Sequence, residues 1–133
     1  MNILKTRAWD KVSKCMIENI EAIHFHHDLP INKHRNNNFS HITFWITDNT
    51  RAYLYSHDCI LMLCTSLKDK NKKLIYDGDI IRCVDGDIIS IGYHAGCFGW
   101  SKGDCFWTMR NYFLWEKSEI IGNIYKNPEL YTQ

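Results

Sequence analysis

Asp85-Gly86 separates two β-branched runs, Ile80-Ile81-Arg82-Cys83-Val84 and Asp87-Ile88-Ile89-Ser90-Ile91, and no other feature constrains the fold as tightly. Both residues accept positive φ, so the dipeptide predicts a tight hairpin turn. The same grammar recurs along the chain. From His41 to Thr47, Ile42, Phe44 and Ile46 fall on one face and Thr43, Trp45 and Thr47 on the other, the signature of a half-buried strand. Asp48-Asn49-Thr50 turns the chain, and Ala52-Tyr53-Leu54-Tyr55 continues the sheet. Cys59 to Cys64 is apolar on both faces, as a covered central strand is. Cys105 to Leu114 and Ser118 to Tyr125 supply two more strands. At the start, Ile3 to Trp9, polar Asp10 to Lys14 and Cys15-Met16-Ile17 read as a hairpin. Ile17, Ile20 and Ile23 also fit helical spacing, which leaves a short helix as the rival. Asn127-Pro128-Glu129 places a cap before proline, the start of a last short helical turn.

So many short strands with turns between them predict a mainly β chain, with an α+β arrangement as the other option. The expected form is a small β-barrel or half-open antiparallel sheet, SH3-like in its C-terminal half, with little helix. Gly78-Asp79 ahead of Ile80-Ile81 supports the SH3-like reading: Gly78 permits a sharp strand entry and Asp79 accepts backbone N–H bonds there. With 133 residues, 45% of them hydrophobic, the chain fits a single domain over 1–133 with a real core. Pro30 and Asn36-Asn37-Asn38 mark a flexible polar loop at 28–40.

Formal net charge is +1, and it is spread evenly: 7 basic and 6 acidic residues through Ser66, 9 and 9 after it. No general electrostatic drive toward nucleic acid or membrane follows. The one basic cluster is Lys68, Lys70, Lys72 and Lys73, diluted by Asp69. The longest apolar run, Ile60 to Cys64, is far short of the roughly 18 residues a membrane span needs, and the first residues lack a signal-peptide core. The expectation is a protein of the cytoplasm of a bacterial host cell, with its six cysteines as free thiols. Cys59, Cys64, Cys83 and Cys97 have apolar or aromatic neighbours, as buried thiols do.

His24, His26 and His27 are the metal candidates, since alternate residues of a strand share a face. No further ligands stand at a recognisable spacing, Asp28 and His41 being arbitrary choices, so these read as surface histidines. The cysteines form no Cys-x-x-Cys pair. No cofactor or metal is expected. Gly96 to Gly103 is neither a nucleophile elbow nor a phosphate loop, and the carboxylates are mostly turn residues, so no catalytic group is assigned. The stretch reads as a flexible loop carrying Phe98 and Trp100, either core aromatics or exposed anchors.

Three blocks resemble one family. Arg7-Ala8-Trp9-Asp10-Lys11 resembles the opening motif of the YopX family, small proteins carried by phages and prophages. Leu67 to Ile81, with Tyr76-Asp77-Gly78-Asp79-Ile80-Ile81 at its end, resembles that family's central block. Ile121-Gly122-Asn123-Ile124-Tyr125-Lys126-Asn127-Pro128-Glu129-Leu130 resembles its closing signature. Ser66 and Lys72 stand where the family tends to have glycine. The resemblance implies a β-rich fold and a phage origin, and brings no activity with it.

Two functions follow as expectations. The first is a non-enzymatic phage accessory that binds and inhibits a host protein, in its sharpest form a defence nuclease such as a CRISPR effector or its RNA complex. The alternative is a module for RNA or single-stranded nucleic acid, with Lys68, Lys70, Lys72 and Lys73 on phosphates and Phe98 and Trp100 stacking on bases. A metal-dependent nuclease built on the histidines is a weaker third.

Overall fold

The computed structural model describes residues 5–25, 39–94, 97–108 and 115–131. The protein is mainly β, as expected, and among the described residues its helical content is three single 3-10 turns: Ser56–Asp58, Trp115–Lys117 and Pro128–Leu130. The chain divides into two compact units, Thr6–Leu61 and Met62–Gln133 together with Met1–Lys5.

In the first unit, β1 (Thr6–Asp10) and β2 (Cys15–Ile17) form the expected opening hairpin, with Trp9 opposite Met16 and Asp10 opposite Cys15. Its turn is organised by the Asp10 carboxylate. That group accepts N–H bonds from Val12 and Ser13 at 2.9 and 3.2 Å, plus the Ser13 hydroxyl at 2.7 Å. Lys14 closes the turn at φ 61. The helical rival at Ile17, Ile20 and Ile23 is displaced by β3 (Ile20–Phe25). This strand pairs antiparallel with β4 (Phe39–Thr47), and β4 with β5 (Thr50–Tyr55). Ile20 and Ile23 still face the core, because a strand bulge between Ile20 and Ala22 resets their register. That core is Ala8, Phe39, Ile42 and Cys59, with Ile17, Phe44, Leu54 and Leu61 around it. The polar loop is shorter than the composition suggests at its C-terminal end: Phe39 and Ser40 already belong to β4, Phe39 being 5% exposed. Residues 28–38 lie outside the described residues.

Strand β6 (Cys59–Lys68) begins in the first unit and continues into the second. There it pairs with β7 (Leu74–Tyr76). The remaining strands are β8 (Asp79–Arg82), β9 (Ile88–His94), β10 (Cys97–Lys102), β11 (Cys105–Thr108) and β12 (Glu119–Asn123). They form one antiparallel sheet in the order β11-β10-β9-β8-β12. Its outer strands differ, so the half-open form is the one observed. Its core is Ile75, Ile81, Ile89, Ile91 and Trp115, joined by Leu67, Cys83, Trp100 and Ile120.

Three local expectations are corrected here. The β8–β9 hairpin exists, but its loop is Val84-Asp85-Gly86 rather than a two-residue turn. Gly86 N–H donates to the Cys83 carbonyl at 2.9 Å and only Gly86 takes positive φ, at 92°, the three-residue pattern that ends in a bulge. Asn127 makes no side-chain cap bond to the last helical turn; its Oδ1 accepts the Asn123 N–H at 3.3 Å instead. Cys97 is exposed rather than buried: it stands at the first position of β10, opposite His94 at the end of β9.

The central and closing blocks meet at Gly78. Its φ is 92°, its N–H donates to the Ile91 carbonyl at 2.8 Å, and its carbonyl accepts the Ile124 N–H at 2.9 Å. A Cβ there would lie 3.2 Å from both Met62 Sδ and Asn123 Nδ2. Buried Asp79 accepts the Tyr76 N–H at 2.8 Å, and Asn123 pairs with Asp79 across β12 and β8. Both blocks are architecture: they tie the strand entries of one sheet together.

Candidate functional site

The lysine cluster is a turn built on a buried carboxylate. Asp69 is 2% exposed among exposed lysines. Its Oδ1 accepts the N–H groups of Asn71 and Lys73, each at 2.9 Å, and its Oδ2 accepts that of Ile120 at 3.0 Å. Burial pushes this carboxyl up, but the three N–H donors and the Lys73 charge outweigh it and hold the group below its ordinary 3.8. The turn needs left-handed backbone at Lys72 (φ 62), and the bulge in β6 needs it at Ser66 (φ 69). Those are the two positions at which the resemblance to the family leads one to expect glycine. Lys70 is partly neutralised: its Nζ lies 3.7 Å from Glu119 Oε1, which also faces Arg82 at 3.4 Å.

Phe98 and Trp100 are not on a loop. They lie in β10, in register with Tyr93 and Ile91 of β9. Trp100 is half-buried against the core and stacks on Trp107 with centroids 4.3 Å apart. Phe98 packs edge-on to Tyr93 at 4.9 Å. Gly99, one of the glycines that suggest flexibility, is a packing device: a Cβ there would run into the Phe106 ring, so the bare backbone is what lets that ring lie on the sheet. The fold does not gather the two groups. Asp69 joins the lysine turn to β12, and β10 stands three strands away in the sheet, about 14 Å at the usual strand spacing.

A different surface brings rings together, and sequence reasoning missed it. On the outer face of β3-β4-β5, His24 stacks on His41 with centroids 4.2 Å apart and planes 7° from parallel. His41 meets Tyr53 and Tyr55 edge-on, each at 6.3 Å, and Tyr55 stacks on His57 at 5.8 Å. Arg51 lies 5.3 Å from the Trp45 ring centre and donates to Glu21 at 2.8 Å. A shallow groove of about 690 Å³ runs alongside, between Glu18–Glu21 and Trp45–Asp48. Tyr53 is 59% exposed, Tyr55 49%, Trp45 38% and Ile46 62%, so these rings serve the surface rather than the core. A hydrogen bond with Tyr53 holds the Tyr55 phenol above its ordinary 10.0. The signal was present in the period-two placement of His41, Thr43 and Trp45 and of Arg51, Tyr53 and Tyr55. What fuses the two series is the register, Thr43 opposite Tyr53 and His41 opposite both His24 and Tyr55.

Among the described residues, no three His, Cys, Asp or Glu side chains converge as metal ligands do; His26 and His27 lie outside the described residues. All six cysteines are free. Burial pushes the Cys59 and Cys83 thiols up to about 11, the reverse of the lowered pKa that makes a cysteine nucleophilic. Among the described residues, no helix is long and apolar enough to cross a membrane.

Comparison with known proteins agrees with this picture. The model of the YopX protein family matches residues 5–132. The crystal structure of protein EF1440 from Enterococcus faecalis is similar over 99% of this chain and 100% of its own, with 27% identity and a TM-score of 0.68. The crystal structure of the YopX protein from Bacillus subtilis shares the fold over 100% of this chain and 98% of its own, at 20% identity and a TM-score of 0.61. No curated protein matches. With its family model matched over almost the whole length and two solved structures alike from end to end, the chain belongs to the YopX family.

Proposed function

We propose that this protein is a non-enzymatic phage accessory that acts by occupying a protein of the bacterial host in its cytoplasm, and that the outer face of β3-β4-β5 is its contact surface. The sharpest form of the proposal is inhibition of a defence nuclease such as a CRISPR effector. The observation that carries the reading is the contiguous ring set His24, His41, Tyr53, Tyr55 and His57, all exposed except half-buried His41. Protein interfaces are enriched in tyrosine and tryptophan and depleted of charge at their centres. The charged groups beside the rings are paired with each other, Arg51 with Glu21, which suits a protein partner. A nucleic-acid surface needs unpaired cations, because phosphate neutralisation supplies most of its affinity.

The test is binding of free single-stranded RNA beside capture of host protein, both at near-physiological salt. The proposal expects no sub-micromolar RNA affinity, together with a captured partner that survives raised salt and is lost on Tyr53→Ser with Tyr55→Ser. Sub-micromolar RNA binding, falling with salt and abolished by reversing Lys68, Lys70, Lys72 and Lys73 to glutamate, would replace it with the nucleic-acid reading.

A further inference from the structure

We infer that His24 and His41 form a two-imidazole chelate for a divalent transition metal ion such as zinc, nickel or copper. Three observations converge. The residues are direct cross-strand partners in β3 and β4, and such partners carry their side chains on one face within reach of each other. Their rings are already gathered at 4.2 Å, nearly parallel. Ser40 Oγ lies 3.0 Å from Nδ1 of His41; in the tautomer that donates its Nδ1–H to that oxygen, the ring is held and Nε2 is the ligand atom, the usual support for a metal-binding histidine. Thr43 Oγ1 stands 3.5 Å from Nε2 of His24, too long to compete strongly for that nitrogen.

Imidazole nitrogen suits zinc, copper and nickel and does not suit calcium or magnesium. An ion bound at about 2.1 Å to each of two nitrogens holds them roughly 3.3 Å apart. Imidazole lone pairs lie in the ring planes, so the nearly parallel rings must rotate until both planes meet at the ion. His24 is exposed among the described residues, which leaves its ring room to turn. The bound ion would take its remaining ligands from water, or from a partner docked on the same face. The chelate rests on this chain alone, so it stands or falls independently of the proposed host target.

The experiment is calorimetric titration of the tag-free full chain with zinc, and separately with nickel, comparing wild type, His24→Asn, His41→Asn and the double variant. A chelate has a distinctive outcome: wild type binds one ion per chain, and either single variant, left with a lone imidazole, loses about a hundredfold in affinity, because the second imidazole binds at high effective concentration only after the first. Circular dichroism of each variant shows that the sheet is intact. Two ions per wild-type chain, falling to one of unchanged affinity in each single variant, would mean two independent weak ligands and would overturn the chelate. So would affinity unchanged in the double variant, which would place the ion elsewhere on the chain.

Discussion

The two units solve the same problem with opposite means. In the second, polar side chains are drawn inside to fix turns: Asp69, Asp79, Ser118 and Asn123 are all buried, and their partners are mostly backbone N–H or C=O groups. In the first, the turn carboxylate Asp10 stays near the surface, and the notable side chains are rings turned outward on a sheet. The blocks that carry the family resemblance fall chiefly in the second unit, where they hold strand entries together. A signature can therefore identify a fold through residues other than those of the proposed contact face. Buried polar turns tolerate little substitution because each lost acceptor strands a donor, whereas an exposed ring is free to change with its partner.

Breaking the Asp69 turn should have the largest effect. Asp69→Ala strands the N–H groups of Asn71, Lys73 and Ile120 and should cost about 2–4 kcal/mol in urea unfolding; a change under about 0.5 kcal/mol would show that the turn is not organised by this carboxylate. The same group has a pH signature. Its folded pKa lies below the ordinary 3.8, so its contribution is complete above that value and is lost as pH falls through the lower, folded pKa. Wild type should lose stability over that acid range with a steeper slope than Asp69→Asn, and equal slopes would contradict the assignment.

Gly78 comes next. Valine there meets both positive φ and the Met62, Asn123 and Tyr125 side chains, and should cost about 1–3 kcal/mol; an unchanged melting temperature would remove strain from the account. The smallest effect has the opposite sign. Ser66→Gly and Lys72→Gly each relieve a left-handed non-glycine residue and should each stabilise by about 0.5–1 kcal/mol. Destabilisation by either would mean that the native side chain, not the backbone, holds that position.

Much of this architecture was legible in the sequence because period-two patterning and turn residues are local signals. The strand from His41 to Thr47 and the closing Pro128 turn are read directly from neighbouring residues. The site was legible only in part. Phe98 and Trp100 read as either core aromatics or exposed anchors on a flexible loop, because glycines at 96, 99 and 103 suggest flexibility, but Gly99 is bare to admit Phe106, a contact that depends on β10 pairing with β11. The ring face of β3-β4-β5 joins His24 to residues 17 and 31 positions further on, and no local pattern encodes that register.

The central claim is that contact with a partner resides on the outer face of β3-β4-β5 and not on the lysine turn. The most direct measurement is the yield of co-purifying host protein for two variants of matched stability: Tyr53→Ser with Tyr55→Ser, and glutamate at Lys68, Lys70, Lys72 and Lys73. Both sets of side chains are exposed, and the unfolding free energy of each variant is measured beside wild type, because glutamate at Lys70 and Lys73 places like charge near Glu119 and Asp69. The account predicts that the tyrosine variant loses the partner while the lysine variant keeps it, with at most slower association. Retention by the tyrosine variant and loss by the lysine variant would contradict it.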